Sequence, residues 1–152
     1  YLNQEKYAQA FVNDAINLSN DGPHKIREDL ERQGIDKNII ENYLNVIEDE
    51  VWRARIEKVL LKKAKTNKVG YVLFKNKMHN ELVMLGYDSS MIGQILDGFS
   101  IDTDSVFSKE ATKVYEKLSS KYQGTELELR FKSRMYAKGF SGDQISKFLS
   151  TL

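Results

Sequence analysis

Arg55, Lys58, Lys62 and Lys65 fall within about 80° of one another on a helical wheel. Lys109, Lys113, Lys117 and Lys121 recur every four residues and line one side of a second helix. Cations at this spacing can neutralise successive phosphates of a nucleic-acid backbone. A stripe of this kind is also what a solvated helix face looks like, so both readings stand for either stripe alone. Lys25 and Arg27, on a shorter helix, join the set of candidate nucleic-acid contacts. Glu28, Asp29 and Glu31 beside Arg27 and Arg32 read as a solvated face rather than an acid/base pair.

Other chemistry is sparse. His24 and His79 lie far apart and have no carboxylate or thiol at metal-ligand spacing, so no metal site and no catalytic residue is assigned. The chain has no cysteine, which removes disulfides, thiolate metal sites and a cysteine nucleophile. No phosphate-loop or dinucleotide fingerprint occurs. The sequence therefore reads as a non-enzyme without a cofactor. Tyr7, Tyr43, Tyr71, Tyr115 and Tyr122 could stack on bases, but most of them occupy apolar helical positions and core packing is the better reading. Trp52 reads as an anchor between helices.

The net charge of +1 conceals four sectors. Residues 1–50 carry 5 basic and 11 acidic side chains, and residues 51–79 carry 9 and 1. Residues 80–108 carry none and 5, and residues 109–152 carry 9 and 5. Alternation of this kind suits a composite surface of protein and nucleic acid. No apolar run is long enough to cross a membrane and no signal peptide is visible. A cytoplasmic location and a monomer are expected.

The elements that carry these residues are set by three glycines. Gly34, Gly86 and Gly139 stand in LERQGIDKNIIENYLNVI, LVMLGYDSSMIGQILDGF and MYAKGFSGDQISKFLSTL. Each has an apolar residue four before it and another directly after: Leu30 with Ile35, Leu82 with Tyr87, Met135 with Phe140. That pairing accompanies a helix that ends on a left-handed glycine. Apolar residues then follow at helical spacing, ending at Ile47, Phe99 and Leu152. Asp36, Asp88 or Ser89, and Ser141 read as N-caps, with Ser141 and Gln144 at capping-box spacing.

Gly22-Pro23 opens the helix before Gly34, with proline at the first helical position. Thr125 with Glu128 reads as a capping box before Gly139, and Lys68-Val69-Gly70 is a weaker start before Gly86. A longer helix precedes each pair, over 3–19, 49–65 and 105–122. Trp52, Ile56, Val59 and Leu60 form an apolar arc on the second, with Lys63 out of pattern inside it. The expected fold is all-α, about nine helices in three tandem three-helix repeats. The repeats span residues 1–48, 49–100 and 101–152.

Tyr7-Ala8, Phe11-Val12, Gly22-Pro23, Ile26, Leu30 and Gly34-Ile35 together resemble the first recognisable unit of the RecX family, bacterial regulators of the RecA recombinase. Trp52, Gly86-Tyr87 and Gly139-Phe140 are similar to its later repeats. Asn3 and Gln4 stand where the family often has acidic residues. Long members carry further sequence before this region, so the chain resembles a C-terminal portion of one. The resemblance implies an elongated, curved array of helical repeats. It also implies binding in the groove of the RecA–single-stranded DNA filament, restraining strand exchange and coupled ATP hydrolysis. Binding to single-stranded DNA alone is expected to be weak and salt-dependent. Two readings from other classes remain: a sequence-independent DNA-binding protein, and a helical scaffold for a protein partner.

Overall fold

A computed structural model describes residues 3–152. Among the described residues there are nine α-helices and no strand: α1 Gln4–Leu18, α2 Pro23–Arg32, α3 Lys37–Leu44, α4 Asp49–Lys65, α5 Tyr71–Met84, α6 Ser89–Gly98, α7 Thr103–Ser119, α8 Gly124–Ala137 and α9 Gly142–Ser150. The order is helix, helix, glycine turn, helix, three times over, as the sequence pattern requires.

Gly34, Gly86 and Gly139 have φ of +83°, +98° and +84°. At each, the N–H of the following residue donates to the carbonyl five residues back: Ile35 to Leu30, Tyr87 to Leu82, and Phe140 to Met135, at 3.1, 3.1 and 3.3 Å. The glycine N–H donates to the carbonyl three back in all three turns. This is the Schellman pattern, and it satisfies carbonyls that the helix end would otherwise leave bare. Gly22-Pro23 opens α2 with proline at its first position. Asp36, Asp88 and Ser141 are the N-caps, and Ser141 with Gln144 closes a full capping box.

The bounds of α7 and α8 differ from the sequence reading, α7 ending at Ser119, three residues before the expected 122. α8 begins at Gly124 with Gln123 as N-cap, so Thr125 lies inside the helix and forms no capping box with Glu128. α7 begins at Thr103, two residues early, because Asp102 accepts the N–H groups of Asp104 and Ser105. Of the residues in the repeating apolar pattern, Leu152 is the one left 64% exposed.

The chain divides into two compact units. The first comprises residues through Lys62 together with Met78–Phe99, and the second comprises Lys63–Lys77 together with Ser100–Leu152. The units cut across the sequence repeats, because α4 and α5 each contribute to both.

In the first unit α1, α2 and α3 pack mutually, burying Ala8, Val12, Ile26, Leu30, Ile40 and Leu44. Trp52 is 4% exposed and meets Tyr87 edge-on at 6.4 Å, the anchoring contact expected of it. In the second unit α7, α8 and α9 pack around Phe107, Ala111, Val114, Phe131, Met135 and Ile145. Tyr115 lies edge-on to Phe131 and Phe148, so it serves the core.

The same backbone joint occurs once in each unit. In the first, Gly22 N–H donates to the Leu85 carbonyl at 2.6 Å and His24 N–H to the Gly86 carbonyl at 2.9 Å. In the second, Gly70 N–H donates to the Lys138 carbonyl at 2.7 Å. The start of one helix thus sits on the glycine turn between two others. A Cβ on Gly22 would lie 2.6 Å from the Gly86 carbonyl carbon, and one on Gly70 would run into Gly139 backbone. Close backbone approach is what these two glycines provide.

Candidate nucleic-acid interface

The structure sorts the candidate cations by what they already hold. Arg55 does not present a free guanidinium. Its Nη1 donates to the Ile16 carbonyl at 2.6 Å, and its Nη2 to those of Ser19, Asp21 and Ala15 at 2.8, 3.1 and 3.4 Å. α1 ends there with no basic residue in its last turn, and its bare carbonyls take the Arg55 donors instead. Tyr87 completes the clamp, its hydroxyl donating to the Asn20 carbonyl at 2.7 Å. Burial raises the Tyr87 pKa above its ordinary value and the adjacent Arg55 guanidinium opposes the rise, so the phenol remains a donor. The sequence placed Arg55 with the phosphate contacts because a helical wheel gives direction and not depth.

Arg27 is likewise committed. Its Nε donates to Glu41 Oε1 at 2.5 Å and its Nη1 lies 3.1 Å from His24 Nδ1. Lys25 pairs with Asp21 at 3.2 Å and Lys113 with Glu110 at 3.7 Å. Glu110 is buried at 8% exposure and takes Lys138 as its second cation at 3.2 Å, which offsets the cost of burying a carboxylate.

Lys58, Lys62, Lys65, Lys109, Lys117 and Lys121 are exposed, and none is ion-paired to a described residue. On α4, Lys58 lines a hollow of about 540 Å³ with Leu18, Val51 and Ala54, beside the Arg55 clamp. Lys63, the residue out of pattern, is exposed rather than buried in the arc.

Lys117 on α7 and Lys121, which lies in the turn after α7 and not on the helix expected over 105–122, open onto a cleft of about 330 Å³ whose other wall is α8. That wall supplies Arg130, Ser133 and Arg134, and Tyr122 lies between. The Arg130 guanidinium sits 4.1 Å from the Tyr122 ring centroid and pairs with Glu126 at 3.2 Å. The sequence reading missed the α8 residues. The signal was an Arg at 130 and another at 134, one turn apart, but only the packing of α8 on α7 turns them toward the lysines.

His24 is exposed, and His79 is half-buried with Nε2 3.2 Å from Ser89 Oγ. Among the described residues no group of His, Cys, Asp and Glu could hold a metal ion. Among them, too, no helix is long and apolar enough to cross a membrane. Tyr7 is 45% exposed, against the core position expected of it.

Comparison with known proteins places this architecture. Residues 3–44, which are α1 to α3, match the family model described as RecX, second three-helix domain. The regulatory protein RecX of Staphylococcus haemolyticus is 29% identical over 154 residues, covering 98% of this chain and 58% of that protein. The regulatory protein RecX of Lactobacillus delbrueckii subsp. bulgaricus is 30% identical over 157 residues, covering 98% and 57%. The chain is thus similar to RecX proteins along almost its whole length. The crystal structure of RecX from Lactobacillus salivarius aligns with a TM-score of 0.58 and 27% identity over 63% of each chain. The two curated relatives are longer, and the chain spans a little under 60% of each. Both of these relatives carry the name regulatory protein.

Proposed function

We propose that the chain is a non-enzymatic regulator that binds the RecA–single-stranded DNA filament and inhibits strand exchange and coupled ATP hydrolysis. The observation that carries this reading is the RecX match over 98% of the chain. The exposed lysines support it. Lys58, Lys62 and Lys65 on α4, Lys117 on α7 and Lys121 just after it have no ion-pair partner among the described residues to give up, so phosphate contact costs them little beyond desolvation. Arg27 and Arg55 are already engaged and belong to the scaffold, while Lys25 and Lys113 make only surface pairs of little strength. The acidic helices α1 to α3 face protein in this reading. No cofactor takes part, the chain acts as a monomer, and its site of action is the cytoplasm, where the filament forms.

The test is a strand-exchange reaction driven by RecA on preformed filaments, with ATP hydrolysis followed in parallel. Added chain is expected to slow both at concentrations below those at which it binds naked single strands. If strand exchange slows only once naked DNA is saturated, the protein is a sequence-independent DNA-binding protein.

A further inference from the structure

The α7–α8 cleft carries more than charge. Lys117, Lys121 and Arg134 line it without an ion pair to any described residue, and Ser133 adds a hydroxyl. The Arg130 guanidinium carbon lies over the Tyr122 ring, 4.1 Å from its centroid. The Arg130 side chain is 51% exposed. Glu126 holds it from the side at 3.2 Å. A guanidinium plane fixed on an aromatic ring is a platform on which a flat π-system can stack.

We propose that this cleft is a site for one unpaired nucleotide of a DNA strand, with the base stacked on the exposed face of Arg130 and the flanking phosphates held by Lys117, Lys121 and Arg134. The proposal rests on the nucleic-acid half of the function proposed above and adds the feature that selects single strands. A duplex keeps its bases stacked on one another and offers the platform nothing. An acidic peptide would satisfy the cations and leave the platform empty. The volume, about 330 Å³, is at the small end of ligand pockets and suits one nucleotide rather than several.

The probe is an oligothymidine strand carrying one 2-aminopurine, whose fluorescence reports stacking, titrated at low salt against the 152-residue chain. Arg130→Lys keeps the charge and removes the plane. It is expected to abolish the protein-induced fluorescence change and weaken single-strand binding about 5- to 20-fold, with the salt dependence unaltered. Arg134→Gln is expected to keep the fluorescence change and lower the slope of log K against log salt by about one. Duplex DNA of equal length should bind more weakly and be indifferent to Arg130→Lys. Circular dichroism and the unfolding midpoint establish that both variants fold.

An Arg130→Lys variant with wild-type affinity and wild-type fluorescence change overturns the stacking site, as does equal binding of single strand and duplex or no binding at all. If the stacking site fails while the chain still inhibits strand exchange, the regulator reading stands without it. If inhibition fails while Arg130→Lys abolishes the fluorescence change, the site stands and the filament reading falls.

Discussion

Gly86→Ala is expected to destabilise the first unit by about 3 kcal/mol or more, and Gly34→Ala by about 1–2 kcal/mol. Both glycines sit at positive φ in the same Schellman turn. An alanine at either site bears the cost of the left-handed region, roughly 1–2 kcal/mol. The difference comes from what lies outside the turn. A Cβ on Gly34 meets nothing within 4 Å. A Cβ on Gly86 meets the Lys25 backbone nitrogen at 2.5 Å, and relief requires α2 to move off the turn. That movement breaks the Gly22-to-Leu85 and His24-to-Gly86 hydrogen bonds. Each leaves a buried donor or acceptor unsatisfied. Chemical-denaturation midpoints of the two variants, read by circular dichroism, decide the matter. Equal losses at Gly34 and Gly86 would mean that the joint contributes nothing.

This contrast also shows where the sequence stops being legible. The turns themselves were readable, because a left-handed glycine with an apolar residue four before it and another after it is a local signature. Gly22-Pro23 and the caps at Asp36, Asp88 and Ser141 are local for the same reason. The joint is not local. Gly22 and Gly70 read as helix starts, and only the approach of a distant turn gives their missing side chains a purpose. Arg55 failed in the opposite direction, since its wheel position matched the lysines while its guanidinium was needed at the end of α1. Thr125 and Glu128 had the right spacing for a capping box, yet the helix already begins at Gly124. Arg130 and Arg134 went unassigned because the residues facing them across the cleft lie at the end of α7 and in the turn after it, with no periodicity linking these to α8.

The second large effect falls on binding. Lys58→Glu, Lys62→Glu and Lys65→Glu together are expected to weaken filament binding about 100-fold or more while the chain stays folded. The three residues are exposed, and none is ion-paired to a described residue. Reversal therefore breaks no ion pair with a described residue, and stability should shift by about 1 kcal/mol at most, chiefly from new carboxylates near the C-terminus of α4. Against phosphate, three attractions become three repulsions, and like-charge juxtaposition costs several kcal/mol across such a patch. The measurement is the concentration of variant needed to halve strand exchange. A folded variant with wild-type potency would make the α4 lysines a solvated face and leave the α7–α8 cleft or the acidic helices as the contact.

Titrating the wild-type chain onto a preassembled RecA filament, and onto the same DNA strand without RecA at the same salt, separates the leading reading from its rivals. Binding to the filament is expected to be at least about tenfold tighter than to naked DNA, a gain of roughly 1.4 kcal/mol or more from protein contacts. Equal affinity for the two, falling equally with salt, would contradict a filament regulator and leave only a phosphate-binding protein.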